Sequence, residues 1–533
     1  MYFDSRRSTV LAKHGMVATS QPLAAVAGMR VLMQGGNAVD AAVASAAVLN
    51  VVEPVSTGIG GDMFALVWNN REKSVRAING SGRSPKAATI DALEAEGHRT
   101  MPQSGVHSVT VPGAVHGWET LLAECGTMPM SELIQPAIQY ADEGFPVSDI
   151  IAFQWAGQEA KLGRLPSGQE MLLNGRAPKH GEVMKIPTLA RTLEAVAEGG
   201  SEAFYTGEIA EKIAAFIQEQ GGCMETEDLS SHTSDWEEPI TTDYRGVTCW
   251  ECPPNGQGVA ALEALNIVEG FDIAGMGSQT PDTYHHLIEA MRLAFADAFQ
   301  YVADPAHAQV PTAELLSKEF AAKRRALIDP HKAMKSVPYG KVHGGSDTVY
   351  ISSVDGEGNA CSFIYSIYSN FGSGLVVPGT GIVLHNRGGL FSMERDHANA
   401  LTGGKRPYHT IIPGLATKDD ELYLCYGVMG AFMQPQGHLQ VMTNLVDHGM
   451  DPQQALNALR FIVTEEDVAL EEGLSPDIIA DLKGRGHNVR MIDSYYRGLS
   501  GGFGGAQLIQ RDPDTGVLRG ASEPRKDGCA VGW

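Results

Sequence analysis

Apolar residues follow helical spacing over much of the front half of the chain. They recur every three to four positions, as on the buried face of a helix, in these segments: 22–36, 37–52, 130–144 and 283–299. The letters GGNAVD at the start of the second segment are a helix-entry pattern. A glycine-rich turn, STGIGGD, then leads into a predicted strand at 63–69. The front half is therefore predicted to be rich in helices.

The pattern changes at residue 347, where short β-branched and aromatic runs replace helical spacing. The predicted strands lie at 348–354, 359–368, 381–387 and 410–428, the last with a turn inside it. Helices at 437–449 and 452–460 and a hairpin at 504–522 follow. No flexible linker separates the halves, so we expect one α+β body, a layered αββα arrangement, instead of two independent domains.

Composition narrows the class of protein. The 533 residues are 43% hydrophobic and carry a formal charge of −23. This charge repels nucleic acid and anionic membranes, so we expect neither as a partner. The apolar run at 41–52 is too short to span a bilayer, and no signal peptide is evident at the start. Seven cysteines, an odd number, fit a reducing compartment. We therefore predict a cytoplasmic protein.

Several common catalytic and cofactor motifs are absent or incomplete. Cys249 and Cys252 form a C-x-x-C that reads as a strand running into a turn, without the helix that a redox pair needs. The sequence GIGGD is followed by a strand, which argues against a dinucleotide loop. His285 and Glu289 share a helix face but lack a third ligand and the HExxH motif. We predict no metal and no cofactor.

The segment 344–350 contains a candidate nucleophile. Thr348 opens a predicted strand directly after a glycine-rich loop and follows Asp347. Attack of its hydroxyl on the carbonyl of Asp347 would cleave the chain and make Thr348 a new N-terminus. The freed α-amine, with an ordinary pKa of roughly 8, would then act as the base for its own side chain. A threonine at the start of a strand is usually structural, so this pattern alone does not establish the role.

Four longer motifs indicate a particular protein family more specifically than Thr348 does alone. They are GGNAVDAAVASAAVLNVVEPVSTGIGGDMFAL, VPGAVHGWETLL, EAMRLAFADAFQYVADP and DTVYISSVDGEGNACSFIYSIYSNFGSG. Together they resemble the γ-glutamyltransferase family of N-terminal-nucleophile hydrolases over nearly the whole chain. The family's fold is a four-layer αββα sandwich. The resemblance implies that 1–347 and 348–533 are the large and small subunits of a self-cleaved precursor, a heterodimer of its own fragments that can pair further.

The resemblance also implies roles for individual residues. Thr348 falls on the catalytic nucleophile and Ser366 on a hydroxyl residue that hydrogen-bonds it. Gly430 and Ala431 fall where two backbone N–H groups form an oxyanion hole, a geometry that stabilises a tetrahedral intermediate. Alanine in the second position departs from the usual Gly–Gly pair. Its N–H survives that change if the backbone conformation suits a residue other than glycine.

Four changes, one of them in a pair of adjacent residues, depart from the γ-glutamyl pattern. Leu390 stands where an acidic residue should receive the α-ammonium, and Ser81 replaces a carboxylate-binding arginine. His409 and Thr410 replace a Ser–Ser pair, and Tyr368 replaces an asparagine. We interpret the last three residues as parts of an altered substrate pocket. An aliphatic side chain cannot pair with an ammonium, so these changes argue against a γ-glutamyl donor.

Two arginines are candidates to replace the lost carboxylate site. Arg83 lies two residues after Ser81, and Arg387 lies three residues before Leu390. Either is able to form a bidentate pair with a carboxylate. The motifs GSGRSP, LHNRGG and KRPYHT resemble the branch that contains oxamate amidohydrolase. We therefore predict hydrolysis of a small amide that bears a carboxylate, such as oxamate, through an acyl-enzyme on Thr348.

Three alternatives remain open. Within the family, the chain could be a γ-glutamyltransferase or glutathione hydrolase, or an acylase that acts on dicarboxylic monoamides. Outside catalysis, it could be an uncleaved pseudoenzyme that keeps only the fold. The sequence also leaves open whether transfer to an amine competes with hydrolysis.

Overall fold

Two antiparallel sheets, each with seven strands among the residues described, form the centre of the molecule. The computed structural model describes residues 7–335, 337, 348–464, 466–492 and 502–533. We call one sheet the Thr348 sheet, because one of its inner strands begins directly after Thr348. Its strands, in spatial order, are Cys529–Gly532, Met16–Thr19, Val349–Val354, Ala360–Ser366, Asp62–Asn69, Ser74–Gly80 and Asp235–Glu237.

The facing sheet is called the Gly430 sheet, because one of its strands ends next to Gly430. Its strands, in spatial order, are Val10–Ala12, Leu518–Ser522, Gly505–Arg511, Glu421–Met429, Gly414–Lys418, Val247–Glu251 and Ile240–Tyr244. Both sheets contain strands from each side of residue 347. The segments 1–347 and 348–533 therefore contribute to one body, as the sequence predicts for its two halves.

Helices cover the outer face of each sheet. Most of those before residue 231 share a hydrophobic core with the Thr348 sheet: Pro22–Met33, Ala38–Val52, Ala114–Cys125, Met130–Leu133, Gln135–Glu143, Asp149–Ala156, Glu159–Leu162, Pro187–Tyr205, Glu208–Glu219 and Thr226–Ser230. The helix Ile90–Ala95 packs in a small separate cluster with Phe391 and Leu401. The later helices lie on the Gly430 sheet side: Gly258–Val268, Ile273–Met276, Pro281–Tyr301, Thr312–Leu315, Lys318–Arg325, Met433–Val446, Pro452–Asn457 and Pro476–Gly484. The order of layers is helix, sheet, sheet, helix.

Short elements complete the described chain. The small strands are Phe145–Pro146, Val183–Met184, Val376–Val377, Ile382–Val383, Phe461–Val463, Val468–Glu471 and Val489–Ile492, and the 3-10 helices are Val106–Ser108, Pro166–Met171 and Arg387–Leu390. Within the described part of the chain, no helix is both long and apolar enough to cross a membrane.

The helix Ala38–Val52 shows why the central layers are so apolar. Every one of its residues is buried, which fits a sequence that is hydrophobic on all sides. Its start is fixed by a capping box between Asn37 and Asp40. The helix packs on the strand Val349–Val354, whose six residues are also all buried. This strand is therefore covered by helices on one face and by the Gly430 sheet on the other.

The structure confirms the α+β, four-layer αββα fold and most of the predicted elements. The prediction of a strand over 381–387 is wrong beyond its start, because only Ile382–Val383 pairs and a 3-10 helix begins at Arg387. The strand predicted over 410–428 begins only at Gly414. Residues 410–413 include a proline, and the N–H of Ile412 donates to the Gln434 side chain at 2.9 Å instead of to a neighbouring strand.

Candidate active site

Three polar residues lie side by side where three neighbouring strands of the Thr348 sheet end or begin. Thr348 immediately precedes Val349, which pairs with Tyr365 on the next strand. One residue further along that strand, Ser366 pairs with Asp62, the first residue of the third strand. The strand register thus brings one threonine, one serine and one aspartate to the same end of the sheet.

The side chains of these three residues point toward the Gly430 sheet. On each strand, the residue two positions further in lies in the core between the sheets: Tyr350, Ile364 and Phe64. Alternate side chains of a strand share a face, so Thr348, Ser366 and Asp62 share this one. Thr348 is 1% exposed, and its Oγ1 donates a hydrogen bond to Ser366 Oγ at 3.2 Å. Water therefore has little direct access to the hydroxyl pair.

The strand of the Gly430 sheet that faces Thr348 runs in the opposite direction to Val349–Val354. Ser352 Oγ donates to the carbonyl of Cys425 at 3.0 Å. Two residues nearer to Thr348, the ring of Tyr350 lies against Gly427, where a side chain would collide with it. If this alignment continues for two more residues, Thr348 lies opposite Met429, the last residue of the facing strand.

Two consecutive N–H groups follow that strand end. The N–H groups of Gly430 and Ala431 have no hydrogen-bond partner among the residues that the structure describes, although both residues are buried. Buried backbone donors are nearly always paired. Gly430 has φ of 123°, and Ala431 has φ of 51°, a left-handed conformation that costs an alanine roughly 1 kcal/mol. Two such unpaired donors are able to stabilise an oxyanion.

Arg387 is a fully buried cation with unused hydrogen-bonding capacity. Its Nη1 donates to Thr410 Oγ1 at 2.7 Å, and its Cζ lies 4.6 Å from the centre of the Tyr368 ring. Its Nε and Nη2 have no hydrogen-bond partner among the described residues. Burial lowers the pKa of Arg387 to about 10, against the opposing charge of Asp62, so the guanidinium stays charged near neutral pH. Tyr368 N also donates to Ser366 Oγ at 2.8 Å, which links this guanidinium to the hydroxyl pair.

The carboxylate of Asp62 contacts positive and polar groups from three segments of the chain. Its Oδ2 accepts a hydrogen bond from His409 Nε2 at 3.0 Å and lies 3.0 Å from His385 Nδ1 and 3.7 Å from Arg387 Nε. Its Oδ1 accepts from Gly82 N at 3.0 Å. Burial by itself raises the pKa of Asp62, but the attraction of His385 and the hydrogen bond from His409 outweigh burial and hold it well below the usual range. Asp62 is therefore an ionised anchor for this set of side chains.

His409 is neutral at physiological pH. Burial lowers its pKa to about 3, and the charge of Arg387 adds to this effect while Asp62 opposes it. The structure thus places His409 as a buried hydrogen-bond partner of Asp62. The positive charge of Arg387 beside the same carboxylate makes this cluster unfavourable for a metal ion.

Gln257 connects the two walls of the site. Its Nε2 donates to the carbonyl of Thr410 at 2.6 Å and to the carbonyl of Ala431 at 2.9 Å, while its Oε1 accepts from Tyr408 at 3.1 Å. One buried amide therefore holds the residue that binds Arg387 and the segment with the unpaired N–H groups. Sequence reasoning missed Gln257, Asp62 and His385. Asp62 and His385 lie inside the motifs STGIGGD and LHNRGG, whereas no motif contained Gln257.

Arg83 lies in a different set of contacts. Its Nη2 pairs with Asp235 at 3.1 Å and its Nη1 donates to the carbonyl of Thr233 at 3.4 Å, with the side chain 32% exposed. The structure brings together the other predicted site residues in two linked groups: Thr348, Ser366, Tyr368, Arg387, His409 and Thr410 in one, and Gly430 and Ala431 in the other. The role predicted for Arg83 in substrate binding remains a prediction. Asp347, the predicted residue before the cleavage point, lies outside the described residues.

A four-layer αββα sandwich with a buried hydroxyl residue at the start of an inner strand defines the class of N-terminal-nucleophile hydrolases. The family model described as gamma-glutamyltranspeptidase matches residues 24–533. The chain therefore belongs to the gamma-glutamyltranspeptidase family, and it is an amidohydrolase of the N-terminal-nucleophile type.

Similar proteins are named for different activities. A glutathione hydrolase-like YwrD proenzyme of Bacillus subtilis is 37% identical, over 98% of this chain and 99% of that protein. An oxamate amidohydrolase proenzyme of Klebsiella pneumoniae is 34% identical, over 99% and 100%. The crystal structure of a cephalosporin acylase from Bacillus halodurans is 46% identical, with a TM-score of 0.93 over 100% of this chain and 98% of that one. The family is thus shared, while the substrate varies among its members.

Proposed function

We propose that the chain cleaves itself before Thr348 and then uses Thr348 as an N-terminal nucleophile. In the first step Thr348 Oγ1 attacks the carbonyl carbon of Asp347, the peptide C–N bond breaks, and the acyl group moves to oxygen. Water hydrolyses the ester, which leaves a carboxylate on Asp347 and an α-amine on Thr348. The buried hydroxyl pair with Ser366 supports this proposal, and so do the relatives that are described as proenzymes.

We further propose that the substrate is an amide of a small acid that carries a second carboxylate, with oxamate as the first candidate. The observation that carries this proposal is the guanidinium of Arg387, which is buried beside Tyr368 and Thr410. Its Nε and Nη2 have no hydrogen-bond partner in the described part of the chain. A buried donor pair of this kind is costly unless an anion occupies it. Leu390, one helical turn along, offers no acid for an α-ammonium, which makes a γ-glutamyl donor unfavourable.

In the proposed hydrolysis the α-amine of Thr348 takes the hydroxyl proton as Oγ1 attacks the amide carbon. The N–H groups of Gly430 and Ala431 stabilise the tetrahedral oxyanion, and removal of one such donor typically costs roughly 3 kcal/mol in the transition state. The amine leaves with the proton, and water then attacks the acyl ester and releases the acid. Arg387 holds the second carboxylate and so fixes the position of the amide.

A second candidate function is hydrolysis of longer dicarboxylic monoamides. It is favoured by the similarity to the cephalosporin acylase, which at 46% identity exceeds that to the oxamate amidohydrolase. In that case Arg387 would bind a carboxylate further from the amide. The two candidates share the nucleophile and the arginine and differ only in the length of acyl chain that fits between them.

The cleavage is tested by the intact mass of the purified protein under denaturing conditions. We expect two fragments, 1–347 and 348–533, and a single uncut chain for Thr348→Ala. Thr57→Ala, a buried threonine in the quoted front motif, is the matched control and should process normally. An uncut wild-type chain would remove the basis of the proposal and leave a pseudoenzyme.

The substrate is tested by ammonia release from oxamate and from malonamic, succinamic and glutaramic acids, with γ-glutamyl-p-nitroanilide as the comparison. We expect the dicarboxylic monoamides to react and their uncharged methyl esters to fail. Preference for oxamate would support the first candidate, and preference for glutaramic acid the second. Faster turnover of the γ-glutamyl anilide than of every monoamide would overturn the proposed specificity.

A further inference from the structure

A group of metal-binding side chains lies outside the candidate active site. One ligand atom each of Glu96, His98 and His107 lies within 4.8 Å of the other two. His107 Nε2 is 2.8 Å from Glu96 Oε2, and the rings of His98 and His107 are 5.4 Å apart at their centres. The imidazole of His98 has no hydrogen-bond partner among the described residues, so it is available to a ligand.

The end of a helix brings Glu96 and His98 together. The helix Ile90–Ala95 ends in a Schellman motif, in which Gly97 has φ of 91°. The N–H of Gly97 donates to Glu94 O at 3.0 Å, and that of His98 donates to Leu93 O at 3.0 Å. This closed turn fixes the positions of the two side chains on either side of Gly97.

His107 comes from a second fixed turn. The 3-10 helix Val106–Ser108 follows Gly105, whose φ is 80°, and Ser108 Oγ donates to Gly105 O at 2.7 Å. The three side chains therefore come from two rigid turns joined by the loop 99–105. Neither turn belongs to a segment that the proposed hydrolysis uses.

We propose that Glu96, His98 and His107 bind one Zn²⁺ ion. Two imidazoles and one carboxylate form a donor set that suits Zn²⁺ among the abundant divalent cations and disfavours Mg²⁺ and Ca²⁺, which prefer oxygen. The side chains of His107 and Glu96 are 21% and 48% exposed, so the ion reaches them from solvent. Water completes a four-coordinate site.

The ion would stabilise the loop between its ligands. Within that loop, Gln103 Nε2 donates to the carbonyl of Gly389 at 2.8 Å, and its own carbonyl accepts from Asn386 Nδ2 at 2.8 Å. These two contacts lie on either side of Arg387. Bound Zn²⁺ would therefore restrict the motion of the loop 99–105, which supports the backbone around Arg387. This effect does not depend on which substrate the enzyme uses.

Titration of metal-free protein with ZnCl₂ in a calorimeter tests the site. We expect one Zn²⁺ per chain, and a loss of affinity of at least about tenfold in His98→Ala and in His107→Ala, because even removal of a residue that only supports a metal ligand typically costs this much. His180→Ala, at a histidine that is 68% exposed, is the control and should bind as the wild type does. Equal affinity in the wild type and both ligand variants, or no binding by the wild type, would overturn the proposal.

A second measurement needs no variant and so does not depend on how the variants fold. Co²⁺ added to the wild type should give the intense visible absorption of a four-coordinate site, and Zn²⁺ should displace it. Hydrogen exchange of residues 99–105 should slow when Zn²⁺ is added, because ligand binding stabilises the closed loop. A Co²⁺ spectrum of the aqueous ion together with unchanged exchange would contradict the site.

Discussion

Arg387 and Arg83 look equivalent in the sequence but lie in opposite surroundings. Each is a lone arginine in a short motif that contains glycine, and each is near a departure from the γ-glutamyl pattern. Arg387 is fully buried, and two of its nitrogens have no hydrogen-bond partner among the residues that the structure describes. Arg83 is about one third exposed and pairs with Asp235, which also pairs with Arg406 at 2.8 Å. A candidate anion site therefore differs from a surface ion pair in having buried donors that lack a hydrogen-bond partner. The type of residue does not reveal this difference.

Removal of the buried arginine should give the largest difference between the two regions. We expect Arg387→Ala to lower kcat/KM for a dicarboxylic monoamide on the order of 100- to 1,000-fold. The change would leave the second carboxylate of the substrate buried without its partner, at a cost of about 3–4 kcal/mol. Arg83→Ala should change the same ratio by less than about threefold. Steady-state kinetics of both variants, with thermal melting as the check on folding, measures this. Equal losses in the two variants would mean that burial does not distinguish the arginines.

Arg387→Lys sharpens the comparison, because it keeps the charge and removes the fork of donors. A lysine cannot bind a carboxylate in two places or stack flat on the Tyr368 ring. We expect kcat/KM to fall roughly 10- to 100-fold, between the wild type and Arg387→Ala. The loss should appear mainly in KM if Arg387 holds the ground state and the transition state alike. A lysine variant as active as the wild type would show that only the charge matters.

The sequence predicted the layers of the fold better than the contacts between residues of the pocket. Helical spacing and β-rich runs are local signals, so the helix Ala38–Val52 and the strand Val349–Val354 were predicted almost to their ends. The pairing of Cys529–Gly532 with Met16–Thr19 was not predicted, because it joins the two ends of the chain. Register across the sheet, which brings Ser366 next to Asp62, is likewise a property of distant segments.

The pocket shows the same limit at the level of side chains. Motifs pointed to Arg387, Tyr368 and Thr410 as separate candidates, and the structure brings them into contact. Gln257 escaped notice because its role depends on two carbonyl groups, those of Thr410 and Ala431, which are far from it in sequence. A backbone acceptor leaves no trace in its own residue type. For this reason the residues that position the site were harder to predict than those proposed to act in it.

The buried cluster of Asp62, His409 and Arg387 should also make the stability of the protein sensitive to acid. We expect no such effect from the surface ion pair of Arg83 and Asp235. His409 has its pKa lowered to about 3, whereas an unfolded histidine titrates near about 6.5. Below about pH 6.5 only the unfolded state gains this proton, so the contribution of His409 to stability is complete above that pH and falls as the pH decreases toward 3. The loss is up to about 1.4 kcal/mol for each pH unit.

His409→Gln tests this by keeping a donor for Asp62 without a group that titrates. Urea midpoints should be measured from about pH 7.5 to about pH 4.5, a range that spans the ordinary histidine pKa of roughly 6.5. We expect the midpoint to fall less steeply with decreasing pH in the variant than in the wild type. His180→Gln, at an exposed position, should keep the slope of the wild type. If His409→Gln and the wild type show the same slope, His409 takes up a proton in the folded protein and the buried cluster is less dry than its contacts indicate.

The smallest effect should come from the surface pair itself. Arg83 and Asp235 are 32% and 39% exposed, so solvent and salt weaken their attraction. A double-mutant cycle with Arg83→Ala and Asp235→Ala should give a coupling free energy of at most about 1 kcal/mol in dilute buffer. The coupling should shrink further at roughly 1 M salt, where the screening length is about 3 Å. Because Asp235 also pairs with the buried Arg406 at 2.8 Å, Asp235→Ala alone should destabilise the protein more than Arg83→Ala. A coupling that exceeds this limit and persists in salt would place Arg83 in a setting as protected as that of Arg387, and the contrast between the two arginines would no longer hold.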